Sequence, residues 1–166
     1  MKRLRMLTMK KILRSQTNLL FVLMPSILMG FDYTSLASAV AVAESNSDTQ
    51  AVGDSGKARG AYQMWQIAWT QVNKVRAKEK KHLYPWAYAH DAYVSRQYAI
   101  EYLRWCGGVL ESDLGRKPTY WEVYACYARG PSNFREDCGY KYSELPARTK
   151  RAIGIIAAQL KEIPPR

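Results

Sequence analysis

Two consecutive stretches decide the fold: LASAVAVAES at residues 36–45 and, after a polar link, GDSGKARGAYQMWQ at residues 53–66. In the first stretch Leu36, Val40 and Ala43 recur at helical spacing, which predicts a buried helix whose last turn presents Glu44. The second stretch combines three glycines with an aromatic and amide-rich segment, a composition that suits a loop turning back over a cleft. We therefore expect a cleft with Glu44 at its floor.

The chemistry expected of Glu44 follows from its apolar neighbours. A carboxyl group held against apolar side chains loses hydration in its charged form, so its pKa rises and it can hold a proton near neutral pH. A general acid for glycosidic cleavage needs such a proton. The position alone favours a solvated glutamate at a helix end, and the surrounding motifs decide between the two interpretations.

Those motifs resemble the lysozyme-like superfamily, which includes soluble lytic transglycosylases and the goose-type and invertebrate-type lysozymes. Glu44-Ser45 and the segment from Gly53 to Met64 are similar to the family's Glu-Ser and Gly-Ala-x-Gly-x-x-Gln motifs. Downstream, residues 127–131 (YARGP) are similar to its Tyr-Asn-x-Gly motif, and residues 145–149 (LPART) to the start of its closing helix. Two positions depart from the pattern: Ala128 replaces the asparagine, and Arg148 stands where the family often carries an acidic residue.

The resemblance implies a mainly α, lysozyme-like helical domain with a glycine-rich loop or small β-hairpin beside the cleft. It implies a peptidoglycan-cleaving muramidase, either a lytic transglycosylase or a lysozyme, that cuts the β-1,4 bond between N-acetylmuramic acid and N-acetylglucosamine with Glu44 as general acid and base. The residues expected to bind substrate are Ser45, Tyr62, Gln63, Tyr127 and Arg129. The Tyr127 hydroxyl would steady the sugar or Glu44. The alternative is a non-catalytic peptidoglycan-binding envelope protein that keeps the fold, an interpretation that Ala128 favours.

Asp54 is the acidic residue of the glycine-rich loop that could act as a second carboxylate. It could stabilise an oxocarbenium-like state or act as nucleophile, since retaining glycosidases place their two carboxyl groups about 5 Å apart. The alternative is that its carboxylate bonds the amides of its own turn.

Charge and hydropathy divide the chain at residue 31. The net charge of +11 includes six basic and no acidic residues among the first eighteen, and the remainder has 19 basic against 14 acidic residues. This distribution weakens the case for nucleic-acid binding. An apolar run at residues 19–29 follows the basic segment, so we expect residues 1–31 to be a signal peptide or N-terminal hydrophobic anchor and residues 32–166 to be the catalytic domain. The cleavage site stays open.

Export to the periplasm or the cell exterior follows from that segment, with membrane contact only through it. We expect a monomer whose partner is the peptidoglycan glycan strand. No Cys or His spacing resembles a metal site, and we expect neither a metal nor a cofactor. Cys106, Cys126 and Cys138 allow one disulfide in an exported protein, of which Cys126 with Cys138 closes the shorter loop, but the pairing stays open.

Local signals also predict where several helices begin and end. Asp32 or Thr34 would cap the helix that carries Glu44, and the segment from Tyr62 to Trp69 would open the next helix. The run at residues 76–82 would be a solvated helix end. The remaining signals are a helix from Asp91 that stops at Gly107-Gly108, a capping box at Thr119 and Glu122, and a last helix near Pro146 with Ile153, Ile156 and Leu160 buried.

Overall fold

The computed structural model describes residues 31–165, so the targeting segment expected at residues 1–31 lies, apart from Phe31, outside the described residues. The helices are α1 (Tyr33–Ser45), α2 (Gln66–Lys78), α3 (Ala92–Leu114), α4 (Tyr120–Arg129), α5 (Pro131–Glu136) and α6 (Ala147–Leu160), and the strands are β1 (Val52–Gly53), β2 (Ala58–Arg59) and β3 (Met64–Trp65). The prediction of a mainly helical, lysozyme-like domain with a small sheet is confirmed. No helix in the described part of the chain is both long enough and apolar enough to cross a bilayer.

Helix α1 forms as predicted and carries Glu44 in its last turn. The Asp32 side chain caps it by accepting hydrogen bonds from the backbone amides of Thr34 and Ser35 at 3.0 and 3.1 Å. Its apolar face is buried, including Leu36 and Val40, and packs mainly against α6 and α3. This packing fixes the position of Glu44 in the last turn of α1.

The glycine-rich loop folds into a three-stranded antiparallel sheet in the order β1, β2, β3. Ala58 of β2 pairs with Trp65 of β3, and α2 begins only at Gln66. The prediction that residues 62–65 open a helix is therefore wrong. Gln63 adopts a left-handed backbone (φ 45°), which no α-helix accommodates, and the next two residues pair with β2 instead.

A short 3₁₀ segment at Trp86–His90 packs against this sheet. Gly60 (φ 71°) lies so close to it that an added Cβ would come within 1.8 Å of the Ala89 carbonyl oxygen. The Trp86 indole donates to the Met64 carbonyl at 3.3 Å, and the Arg59 guanidinium stacks 3.9 Å from the centre of the Trp86 ring. The sheet is thus held by backbone contact, a hydrogen bond and a cation–π contact.

Helix α3 does not stop at Gly107-Gly108 but continues to Leu114, where Gly115 (φ 65°) caps it. Gly107 is needed for packing instead, because an added Cβ would lie 2.1 Å from the Tyr33 hydroxyl. Gly107 therefore reflects a close approach of α1 to α3 and not a helix end.

The segment expected to be a solvated helix end contains one buried charge. Arg76 is 6% exposed, donates to the His82 carbonyl at 2.7 Å and pairs with Glu101 at 2.8 Å. A guanidinium can be buried in this way because the carboxylate and the carbonyl replace its lost hydration. The prediction is wrong for Arg76, whereas Lys78 and Lys80 are exposed as expected.

The capping box is confirmed, since the Thr119 and Glu122 side chains each bond the other's backbone amide. Helix α4 ends at Gly130 as predicted, and Pro131 then begins the short α5, which the sequence reasoning did not foresee. In α6, Ile153 and Ile156 are fully buried as predicted. Leu160 is only half-buried.

The three cysteines, Cys106, Cys126 and Cys138, are buried free thiols in this structure. The disulfide that their number allows is not formed.

Candidate active site

A cleft of about 840 Å³ runs between the end of α1, the small sheet, one face of α2 and the α4–α5 junction. Its lining includes Glu44, Asp54, Gln63, Trp65, Lys74, Tyr102, Trp105, Tyr127, Ala128, Arg129, Asn133 and Arg148. The volume is in the range of sites that enclose small-molecule ligands. The loop and helices singled out by the sequence therefore meet around one groove.

Glu44 lies in the wall of this cleft, partly buried, with its Oε1 accepting a hydrogen bond from the Tyr124 hydroxyl at 2.8 Å. Burial raises the pKa of Glu44. The Tyr124 hydrogen bond and the Arg148 charge oppose that rise, and the Asp54 charge adds to it. Burial prevails, so the pKa of Glu44 is raised, as its apolar neighbours predicted.

Tyr124 is the site residue that the sequence reasoning missed. It is almost fully buried, and burial beside Glu44 raises the pKa of its hydroxyl far above the ordinary value, so the hydroxyl stays protonated and donates. The available signal was the i, i+3 spacing of Tyr124 and Tyr127, which puts both on the same side of α4.

Tyr127 lines the cleft, but its hydroxyl donates to the Tyr62 carbonyl oxygen at 2.6 Å. Of the two roles expected of this hydroxyl, a bond to Glu44 is therefore not formed, and the Tyr124 hydroxyl makes that bond instead. The Tyr127 hydroxyl instead ties α4 to the turn between β2 and β3.

Asp54 faces the same cleft with both carboxylate oxygens engaged. Oδ2 accepts from the Trp65 indole nitrogen at 3.0 Å, and Oδ1 accepts from Arg148 Nη1 at 3.1 Å. These partners come from β3 and from the first turn of α6, so the alternative in which Asp54 bonds its own turn amides is not what the structure contains. Arg148, the basic residue that departs from the family pattern, neutralises Asp54.

Gln63 lies in the cleft wall, as the resemblance implied, held in its left-handed turn. Its Nε2 donates to the Gly60 carbonyl at 3.0 Å. Its Oε1 lies so near Gly53 that a Cβ there would come within 2.1 Å. The glycines at 53 and 60 therefore make room for this amide.

Ser45 and Tyr62 do not line the cleft. Ser45 Oγ donates to the Ala61 carbonyl at 2.9 Å, and the Tyr62 side chain is buried. Their positions do not support the predicted sugar contacts. Ser45 instead fastens the loop to the end of α1, because its hydroxyl satisfies a loop carbonyl.

Arg129 and Ala128 both line the cleft at the end of α4. Arg129 pairs with Asp137 at 2.8 Å, and its Nε is buried without a hydrogen-bond partner in the described part of the chain. Ala128 is exposed, so the missing asparagine leaves a short apolar side chain on the wall. Among residues 31–165 no group of three or more His, Cys, Asp or Glu side chains could hold a metal ion.

A comparison with protein families finds that the model of the transglycosylase SLT domain matches residues 32–149, from the cap of α1 to the first turn of α6. The chain belongs to the transglycosylase SLT domain family. This membership places it in the lysozyme-like superfamily and supports, in general terms, peptidoglycan cleavage of the lytic transglycosylase type. The matched range of this SLT domain contains Glu44 and the cleft around it. No match was found among curated proteins or among solved structures.

Proposed function

We propose that this SLT domain is a lytic transglycosylase that cuts the β-1,4 bond between N-acetylmuramic acid and N-acetylglucosamine, with Glu44 as general acid and then base. The observation that carries the proposal is the partly buried Glu44 carboxyl, with its raised pKa, in the wall of a cleft of about 840 Å³. A raised pKa lets the carboxyl keep its proton to higher pH than an ordinary glutamate, and the protonated form is the one that can assist departure of a sugar oxygen.

In the proposed reaction Glu44 gives its proton to the glycosidic oxygen. The bond from that oxygen to the muramoyl C1 breaks, its electron pair stays on the leaving N-acetylglucosamine, and positive charge develops at C1. The Glu44 carboxylate then takes the proton of the muramoyl 6-hydroxyl, and O6 bonds to C1. The products are an N-acetylglucosamine end with a free hydroxyl and a 1,6-anhydromuramoyl end. Glu44 is protonated again.

The bonding of Asp54 favours this internal attack over hydrolysis through a second carboxylate. One Asp54 oxygen is bound to Trp65 and the other to Arg148. In a retaining glycosidase the second carboxylate acts on the sugar C1 through its negative charge, and the Arg148 ion pair offsets that charge in Asp54. Hydrolysis with Asp54 as participant is therefore the less favoured chemistry, and the products distinguish the two.

The test uses purified peptidoglycan, the full-length protein and a Glu44→Gln variant. We expect the wild-type protein to release muropeptides that are lighter by one water than reducing-end products, and the variant to release none, because glutamine has no proton of suitable acidity. Mass spectrometry of the products measures both. Lysis at the wild-type rate by Glu44→Gln would overturn the assignment.

The second candidate is a non-catalytic envelope protein that binds peptidoglycan. Ala128 in the cleft wall is the observation that favours it, since an amide able to bind sugar is missing there. Tight binding of the wild-type protein to intact sacculi, with no muropeptide released over long incubation, would support this function instead.

The remaining properties belong to the same proposal. The partner is the glycan strand, with no nucleic acid involved, and the protein acts as a monomer. Residues 1–31 would export it to the periplasm or the cell exterior, as a cleaved signal or a hydrophobic anchor. Cell fractionation of the full-length protein tests this localisation.

A further inference from the structure

Helices α3 and α4 bring two of the three cysteines to the same level of the fold. The two helices are joined by the short segment 115–119 and pack against each other as a helical hairpin. Cys106 lies eight residues before the end of α3 at Leu114, and Cys126 lies six residues after the beginning of α4 at Tyr120. At a rise of about 1.5 Å per residue, the cysteines are about 12 Å and about 9 Å from the connection.

Both cysteines also face the contact between the two helices. Tyr102, one turn before Cys106, packs edge-on against Tyr127, with the ring centres 5.4 Å apart. Tyr127 is the residue after Cys126. The side chains of Cys106 and Cys126 are fully buried, and their thiols are in hydrogen-bond contact with each other. The Cys138 thiol lies after α5 and donates to a backbone carbonyl at 3.7 Å instead.

This arrangement meets the main geometric demand of a disulfide. A disulfide needs two cysteines whose Cα atoms are about 4.4–6.8 Å apart and whose sulfur atoms can approach to about 2.05 Å. Thiols that already touch across two packed helices need only a small further approach. The fold therefore favours one of the three pairs that the cysteines allow, and it is not the pair that closes the shorter loop.

We propose that Cys106 and Cys126 are oxidised to a disulfide that fastens α4 to α3. The oxidant is a disulfide of the glutathione class, available in the compartment to which the proposed export would bring the chain. One cysteine thiolate attacks this oxidant and forms a mixed disulfide, and the other thiolate then displaces the bound oxidant thiol. One S–S bond forms in the protein, and the oxidant is reduced to two thiols that take up the two cysteine protons.

The packed core determines when this reaction takes place. Burial raises the pKa of the Cys106 thiol well above its ordinary value, so the reactive thiolate is scarce once the core has formed. Oxidation therefore occurs while the chain folds, when the oxidant still reaches both thiols.

The disulfide would restrain the helix that supports the candidate active site. Tyr124 and Tyr127 flank Cys126 on α4. Their hydroxyls donate to Glu44 and to the Tyr62 carbonyl, respectively. Because α4 holds both donors, a covalent bond from α4 to α3 would keep them in place under conditions that unfold the reduced protein.

The experiment compares two refolded forms of the full-length protein. The chain is unfolded in urea and refolded with either oxidised glutathione or dithiothreitol, and the remaining thiols are alkylated after renewed denaturation. Mass spectrometry then identifies the tryptic peptides. Trypsin separates the three cysteines, because Arg116 lies between the first and second and Arg129 between the second and third. Cys138→Ser is the matched control, since it removes the thiol outside the proposed pair.

We expect refolding with oxidised glutathione to join the peptides that carry Cys106 and Cys126, in the wild-type protein and in Cys138→Ser alike. The linked form should unfold at a urea concentration about 1–2 M above that of the reduced form, because the bond constrains a long loop of the unfolded chain.

Three results would overturn the proposal: alkylation of both Cys106 and Cys126 after oxidised refolding, a link to Cys138 in their place, or equal urea midpoints of the linked and reduced forms. None of these measurements depends on cleavage of peptidoglycan. Failure of the proposed reaction would therefore leave the disulfide standing, and failure of the disulfide would leave the reaction standing.

Discussion

The bond between Tyr124 and Glu44 allows a quantitative test of how the cleft sets the acidity of its carboxyl group. The Tyr124 hydroxyl lies 2.8 Å from Glu44 Oε1 and stabilises the ionised carboxylate. Hydrogen bonds to charged groups contribute about 1.5–3 kcal/mol, and one pKa unit corresponds to about 1.4 kcal/mol. Tyr124→Phe should therefore raise the pKa of Glu44 further, by roughly one to two pKa units. The lower figure is expected where water can reach the partly buried carboxylate.

The direction of this pKa change follows from the form of Glu44 that the Tyr124 hydroxyl stabilises, which is the ionised carboxylate. Removing a donor to the carboxylate disfavours ionisation, so Glu44 keeps its proton to higher pH and the alkaline limb of the activity profile moves upward. Muropeptide release measured across pH reports that limb, and carbon NMR of the Glu44 carboxyl reports the titration directly. Tyr127→Phe is the matched control. It removes a hydroxyl from the same helix, but that hydroxyl bonds the Tyr62 carbonyl and not Glu44. An unmoved or downward-shifted titration in Tyr124→Phe would refute the reasoning.

Two further predictions concern charge and backbone. Asp54→Asn should lower the pKa of Glu44 and Arg148→Met should raise it, because the Asp54 charge raises that pKa and the Arg148 charge lowers it. NMR titration of the single and double variants measures this, and shifts of the same sign would contradict it. Gly60→Ala should destabilise the fold by at least about 2 kcal/mol, since it combines a left-handed backbone with a clash. Gly108→Ala, in open space on a helix, should stabilise it by about 0.5–1 kcal/mol. Urea unfolding measures the stability change of each glycine variant. Equal free energies of unfolding in the two variants would contradict the packing described.

The features that could be predicted from sequence are those decided by neighbouring residues. The cap at Asp32 and the capping box at Thr119 and Glu122 involve side chains within three residues of the amides they bond, so spacing alone reveals them. The burial of the helix that carries Glu44 in its last turn followed in the same way from apolar periodicity.

The features that could not be predicted depend on contacts between distant residues. Tyr124 and Glu44 are 80 residues apart, and no local pattern distinguishes Tyr124 from Tyr127 as the partner. Gly107 resembled a helix stop because the Tyr33 side chain that requires it belongs to another helix. The aromatic run that includes Trp65 has helical spacing, but pairing with β2 overrides that preference.

The support of the small sheet by the Trp86–His90 segment has a consequence for motion. A loop with three glycines would ordinarily be expected to act as a hinged flap over the sugar, but here Gly60 has a carbonyl against it, Met64 is bonded to Trp86, and Thr49 contacts His90 Nδ1 at 2.9 Å. Opening the loop would require separating all three attachments together. The wall that carries Gln63 and Asp54 should therefore meet an incoming glycan strand already in shape, without waiting for a closing movement.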